Sequence, residues 1–274
     1  MLLLYADNLI QCDSCVFSAG ITFSYWKFCL KSFQIVFARS TVFSYFCNPM
    51  SKNIIIAIDG PAGSGKSTAA KNLAQKLGFT YLDTGAMYRT ITYLALRADV
   101  VDNSEEVIKI AQSVKLKLLT ENGKTRVFAD GEELTEQIRT PEVNSKVSEV
   151  SVIPEVRVEM VKLQKALGES SSIVAEGRDV TTVVYPKADI KIFLTATIDE
   201  RASRRFKEYQ AKNEQITIEE VKANLEKRDK IDSGREVSPL RKAEDAIEFD
   251  NTGLTPSDDL DYLMEKIKEV LSSK

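Results

Sequence analysis

The stretch from Ile54 to Thr68, IIIAIDGPAGSGKST, constrains this chain more than any other. Ile54, Ile55, Ile56, Ala57 and Ile58 form an unbroken apolar run, the pattern of a strand buried on both faces. Gly60, Pro61, Ala62, Gly63, Ser64, Gly65, Lys66 and Ser67 then fit G-x-x-x-x-G-K-[ST], the P-loop pattern. Glycines let such a loop turn tightly and aim successive N–H groups at one anion. Lys66 adds positive charge near the outer phosphates, and the Ser67 hydroxyl suits a Mg²⁺ bound to them. A helix is predicted to start at about Gly65, with Leu73, Ala74 and Leu77 inward and Gly78 as its C-cap. Its positive end then faces the same phosphates. The pattern predicts binding of a nucleoside triphosphate.

Length and composition narrow what can be built around that loop. The 274 residues allow one large α/β domain or a core with inserted lobes. A net charge of −3 supplies no general attraction to nucleic acid or to an anionic membrane. The sequence contains no histidine, which excludes Ser-His triads, His-Glu zinc sites and imidazole acid–base chemistry. Cys12, Cys15, Cys29 and Cys47 all precede Met50. A body without cysteine needs no disulfide and fits a reducing cytoplasm.

Residues 1–49 differ from the rest. They are rich in Phe, Tyr, Ser and Leu, and their charges are Asp7, Asp13, Lys27, Lys31 and Arg39. They lack the basic start and clean apolar core of a signal peptide, and no uncharged run reaches the ~18 residues that span a membrane. The spacing of Cys12, Cys15, Cys29 and Cys47 matches no common zinc finger. Met50-Ser-Lys-Asn leads straight into the first strand, so residues 1–49 are read as an extension from an upstream start with no defined fold. A membrane-surface anchor is the alternative.

Beyond the P-loop, Phe79 to Leu82 reads as a second short strand, ending at Asp83-Thr84-Gly85, a helix N-terminus. The helix through Met87, Ile91, Leu94 and Ala95 carries Arg89 one turn past Thr84, near the sheet edge where open α/β sheets bind ligands. From about Ser113 the period changes. Val114, Leu116 and Leu118 alternate with Lys115 and Lys117, Asn122-Gly123 is a hairpin turn, and Thr125 to Ala129 returns. An inserted lobe over 113–169 is expected. Thr140-Pro141 opens one helix, and a second runs from Pro154 through Val156, Met160, Leu163 and Leu167 to end at Gly168. Ile173 to Glu176, Ile190 to Leu194 and Ala246 to Phe249 complete a set of five strands. Thr197 to Glu200 forms a capping box pattern, followed by Arg201, Arg204 and Arg205 at helical spacing. A second cationic set lies between Arg228 and Arg235. Low apolar content between the two predicts a mobile lid over 198–238 with little core of its own.

From Met50 to its end the chain resembles bacterial cytidylate kinases, of the nucleoside monophosphate kinase group of P-loop enzymes. The resemblance rests on Leu82-Asp-Thr-Gly-Ala-Met-Tyr-Arg89, Ile138-Arg139-Thr140, Gly177-Arg178-Asp179, Glu200 to Arg205, and Arg228-Asp229 through Pro239-Leu240. It implies an α/β fold: a five-stranded parallel core, a helical lid and an enlarged monophosphate-binding lobe with a small antiparallel sheet. It further implies that residues 60–68 and Arg204 hold ATP, and that Arg89, Arg178 and Arg228 grip the CMP phosphate. Thr84 would contact the acceptor nucleotide. Ser148, Arg157 and Asp179 would read the cytosine edge, Asp232 the sugar hydroxyls, and Arg235 would join the transfer cluster. Glu176 replaces the family's more usual aspartate, and Thr181 stands where glycine is common.

The expected reaction carries the γ-phosphoryl group of Mg·ATP to the 5′-phosphate of CMP or dCMP. Phosphate monoesters have a second pKa of about 6, so the acceptor is already ionised at neutral pH and needs no general base. Lys66, Arg178, Arg228 and Arg235 would carry the catalysis. A cytoplasmic monomer is expected. A kinase for UMP, AMP or another small acceptor stays open, as do a GTP-driven switch, for which Asp250-Asn-Thr-Gly253 fits D-x-x-G, and a non-catalytic nucleotide-binding module.

Overall fold

The computed structural model describes residues 53–121, 124–211 and 214–272. The reading of residues 1–49 and the Asn122-Gly123 turn lie outside the described residues. Five parallel strands, β1 (Ile55–Asp59), β2 (Thr80–Asp83), β6 (Ile173–Gly177), β7 (Ile190–Thr195) and β8 (Ile247–Asp250), form a sheet in the order β2-β6-β1-β7-β8. Three more, β3 (Leu116–Glu121), β4 (Lys124–Ala129) and β5 (Glu132–Glu133), make a small antiparallel sheet. The helices are α1 (Lys66–Leu77), α2 (Thr84–Arg97), α3 (Ser104–Ser113), α4 (Pro141–Val150), α5 (Pro154–Ser170), α6 (Ile198–Ala211), α7 (Ile218–Gly234) and α8 (Pro256–Ser272).

The central strands are apolar on both sides because both faces of the sheet are covered. Ala57, Ile173 and Ala175 pack into a core with Met87 and Ile91 of α2, Val107 of α3 and Met160 of α5. Ile56 and Ile58 alternate with Ala57 and turn to the opposite face, and α1 packs against α8. Gly65 and Gly78 bound α1, both in the left-handed region. The small sheet lies over a second cluster of Ala86, Val127, Ala129, Leu134 and Ile138.

Several expectations are corrected. The second strand starts at Thr80 and runs through Asp83, one residue later than the apolar pattern indicates. Helix α3 and the short β5 were not anticipated; α3 is announced by Asn103, whose side chain accepts from the Glu105 and Glu106 amides. Leu167 does not turn inward but is 38% exposed, and buried Gln164 takes the inward position. Gly168 does not end α5. It sits within the helix because the Tyr185 ring lies across it, and the Tyr185 hydroxyl donates to the Gln164 carbonyl. An added Cβ would meet that ring at 2.7 Å. Gly168→Ala is therefore expected to cost about 1–3 kcal/mol and to lower the melting temperature by several degrees; an unchanged melt would show that Tyr185 moves freely.

The capping box at Thr197 forms only in half. The Glu200 amide donates to Thr197 Oγ1 at 3.3 Å, but the Thr197 amide goes to Thr252, and the Glu200 carboxylate takes Arg204. A complete box starts α7 instead, between Thr217 and Glu220. Helices α6 and α7 also have more apolar packing than their composition suggests. Ala202, Val221 and Leu225 enclose Ala62 of the P-loop, with Ile198, Phe206, Tyr209 and Ile216 around them.

Candidate active site

Strand register brings the motifs together. Asp59, the last residue of β1, pairs with Gly177 at the end of β6, and Asp83 of β2 pairs with Glu176. The P-loop, Thr84 and the Arg178-Asp179 turn thus leave the same edge of the sheet side by side. They line a cleft of about 430 Å³ together with Arg89, Ser148, Arg157, Arg204, Arg228, Asp232 and Arg235. Of the loop itself, Ala62, Gly63, Gly65, Lys66, Ser67 and Thr68 face that cleft. Gly60, Pro61 and Ser64 serve its shape. The Pro61 carbonyl accepts from Lys66 Nζ at 2.7 Å, and the Ser64 hydroxyl lies 3.4 Å from it.

Lys66 is buried, and that burial, reinforced by Arg178, pulls its pKa down to about 7. A bound polyphosphate would reverse the shift by supplying negative charge. Arg228 is pushed down to about 10, first by burial and then by Arg178 and Arg89. Its Nε is buried without a hydrogen-bond partner. Three guanidinium groups thus crowd one wall of the cleft, and the pull of Asp232 on Arg228 does not outweigh its burial and the two neighbouring arginines.

Arg178 and Asp179, adjacent in sequence, do not pair with each other. Arg178 Nε donates to Asp232 Oδ2 at 2.7 Å, whereas Asp179 is bound by buried Arg157. Asp232 is itself flanked by Arg235 at 3.7 Å, and the two arginines hold its carboxyl below the usual range although burial opposes this. Arg235 further donates to the Asp232 carbonyl and the Ser151 hydroxyl. Arg89 reaches Asn144 Oδ1 at 3.4 Å. The Thr84 hydroxyl donates to the Glu176 carbonyl at 2.7 Å, tying α2 to the end of β6.

The three arginines of α6 diverge. Arg201 is buried and donates to the Ala196 and Ala62 carbonyls and to Asp229, so it braces the loop from behind. Arg204 bonds to Glu200, Asn251 and the Ser64 carbonyl at the cleft wall. Arg205 pairs with Glu208.

Comparisons with known proteins bear on this arrangement. A family model described as "Cytidylate kinase" matches residues 56–269. The chain belongs to the cytidylate kinase family. A protein named cytidylate kinase from Enterococcus faecalis is 51% identical over 81% of this chain and 96% of its own length. Another from Caldanaerobacter subterraneus is 48% identical over 78% and 94% respectively. Among solved structures, an uncharacterized protein from Eubacterium ventriosum aligns with a TM-score of 0.46 at 15% identity, covering 80% of this chain and 99% of that one.

Both departures from the family pattern have structural partners. Glu176 Oε1 accepts from the Ser67 hydroxyl at 2.6 Å and from the Tyr81 hydroxyl at 3.0 Å. The longer acid is thus directed at the P-loop serine. Thr181 donates through both its amide (2.7 Å) and its hydroxyl (2.6 Å) to Asp59 Oδ2, while the Val180 amide donates to Oδ1 at 2.8 Å.

Asp59 escaped the sequence reading because an aspartate before a P-loop reads as one more polar turn residue. It is fully buried and clamps the Arg178-Asp179 turn to the end of β1. Burial raises its pKa from 3.8 to about 6. The folded state therefore holds that proton more tightly, so the group favours folding most at acid pH and that contribution is lost as pH rises through about 6. Asp59→Asn removes the titration and turns an NH₂ group on one set of donors. We expect it to destabilise the fold by about 1–3 kcal/mol at pH 7.5, with a wider gap from the parent at pH 5. Thermal melts of both proteins at the two pH values check this; a gap that narrows at pH 5 would contradict it.

Proposed function

We propose that this protein transfers the γ-phosphoryl group of ATP to the 5′-phosphate of CMP or dCMP, giving ADP and CDP or dCDP. The observation that carries this reading is Arg228, a half-buried guanidinium whose buried Nε has no hydrogen-bond partner and whose charge, opposed by Arg178 and Arg89, is only partly offset by Asp232, in the same cleft as the P-loop. Like charges held together in a low-dielectric wall are costly unless a strongly anionic group enters between them. A phosphate monoester opposite a triphosphate loop meets that condition.

Lys66 and the loop amides bind the β- and γ-phosphates in this reading. Arg89, Arg178 and Arg228 take the acceptor phosphate and cancel its repulsion for the donor. Ser148 and the Arg157–Asp179 pair offer both donors and acceptors, as the cytosine edge requires. Asp232 and Arg235 close the site on the sugar side, 113–169 forms the monophosphate lobe, and 198–238 forms the lid with Arg204 at the donor. The protein acts as a cytoplasmic monomer.

The oxygen donors present fit Mg²⁺. Ser67 Oγ and Glu176 lie 2.6 Å apart, and a small hard cation that keeps most of its water needs only one or two protein oxygens besides phosphate. Once bound, the ion neutralises charge on the phosphate oxygens. The side chains do the rest, by holding the reacting groups in line and excluding water. No base is needed to deprotonate the acceptor.

ADP release measured across CMP, dCMP, UMP and AMP, with and without each acceptor, tests the proposal. Turnover with CMP or dCMP and near-silence without an acceptor is expected. Acceptor-independent ADP formation, or preference for AMP, would overturn it. Among the described residues no helix is long and apolar enough to cross a membrane.

A further inference from the structure

The loop after β8 reaches the donor end of the cleft through Asn251, which is fully buried. Its own N–H donates to the Thr195 carbonyl at the end of β7, 3.0 Å away, which fixes its place beside the P-loop. Its side-chain nitrogen donates to the Ser64 carbonyl at 3.2 Å and to Asp259 Oδ2 of α8 at 2.8 Å. Its side-chain oxygen accepts from Arg204 Nη1 at 3.0 Å, and its main-chain carbonyl accepts from Arg204 Nη2 at 2.8 Å. The orientation of the amide follows from its neighbours. Exchanging oxygen and nitrogen would set an oxygen against a carbonyl and a carboxylate, and an NH₂ against a guanidinium.

A P-loop can aim its amides at phosphate only while the carbonyls of the same peptide units turn away from it. The Ser64 carbonyl shares a peptide unit with the Gly65 N–H. Asn251 holds that oxygen on the outer side, with Arg204 Nη1 as a second donor at 3.4 Å. The contact is close: a Cβ on Gly65 would lie 3.3 Å from Asn251 Nδ2 and 3.5 Å from Arg204 Nη1. Nothing in the G-x-x-x-x-G-K-[ST] pattern supplies this strut, which comes from nearly two hundred residues further along the chain.

We propose that Asn251 is a positioning residue for the triphosphate donor: it locks the Ser64–Gly65 peptide and the Arg204 guanidinium into one arrangement, anchored through Asp259. The inference rests on the donor assignment made under Proposed function and adds to it the residue that keeps the loop in its binding shape. Asn251 also accounts for the D-x-x-G resemblance of residues 250–253. Asp250 accepts from the Thr252 amide and hydroxyl within its own loop, and the chemistry of the stretch lies in Asn251.

Asn251→Asp keeps the side-chain shape but sets a carboxylate oxygen against the Ser64 carbonyl and Asp259. Losing a buried donor in this way corresponds to roughly a tenfold to hundredfold effect. We expect the KM for ATP, and the Kd of a fluorescent ATP analogue measured without CMP, to rise at least tenfold. The KM for CMP should stay within about twofold. Asn251→Asp combined with Asp259→Asn restores a donor between the two positions and should recover at least about threefold in ATP affinity. Asn251→Ala is the second route should the charged variant fail to fold, with the same split between ATP and CMP expected. Folded variants with unchanged ATP affinity, or with equal losses for both substrates, would overturn the proposal. A parent protein that binds the ATP analogue yet makes no ADP with CMP would refute the reaction assigned above, while the analogue's Kd still decides the role of Asn251.

Discussion

Arg178→Ala is expected to fold with near-parental stability and to lose about 10³-fold or more in kcat, the scale on which a well-placed arginine serves phosphoryl transfer. The structure separates the two effects. Arg178 gives its Nε to Asp232 and one Nη to the Gly177 carbonyl, and its side chain remains one-fifth exposed to the cleft. Removing it leaves Asp232 with Arg235 as a partner, so no buried carboxylate is stranded. The cost should therefore fall on turnover, where the proposed reaction sets the guanidinium between two phosphates, and little of it on the fold. Steady-state kinetics with CMP and a thermal melt measure both. A variant that keeps kcat within about threefold would remove Arg178 from the transfer site.

Gly60→Ala should be the more damaging change to the loop. Gly60 follows β1 with φ near 155° and packs on the backbone of the neighbouring strand β7. An added Cβ would lie 1.9 Å from the Leu194 carbonyl oxygen and 3.0 Å from its carbon. A main-chain carbonyl in the middle of the sheet cannot rotate away as a side chain can. The first turn of the P-loop must lift instead, taking Lys66 and the loop amides with it. We expect ATP affinity to fall by roughly a hundredfold or more, with a loss of about 1–3 kcal/mol in stability. Calorimetric titration with ATP decides this; binding within a few-fold of the parent would mean that the loop has slack the packing does not suggest.

The parallel core was readable in advance because its strands are short apolar runs, all but β7 ending in glycine-bearing turns, and the P-loop marks which end of the sheet is used. The antiparallel patch was visible for a related reason: Lys115 and Lys117 alternate with apolar residues only where one face is solvated. Sequence gave less purchase on α3, whose inward face comprises little more than Val107 and Ala111. The approach of Arg89 and Arg178 to the P-loop could be anticipated from strand ends, whereas Arg228, within α7, was placed there only by the family resemblance. Their partners could not, because Arg178 with Asp232 and Asn251 with Ser64 are joined only by the tertiary fold. Asp59 and Asn251 carry no local signature. Each is an ordinary polar residue at a strand end, and its weight comes from the donors that converge on it.

Ala62 is a single residue with unusual obligations. Its carbonyl accepts from Arg201 of α6, its amide donates to Asp229 of α7 at 3.3 Å, and its methyl group lies within the apolar cluster those helices share. The helices are thus hinged onto the nucleotide loop itself and cannot swing aside as an independent flap while these bonds persist. Whatever stiffens the loop must stiffen the cover above it, so the first nucleotide to arrive shapes the compartment that the second will enter.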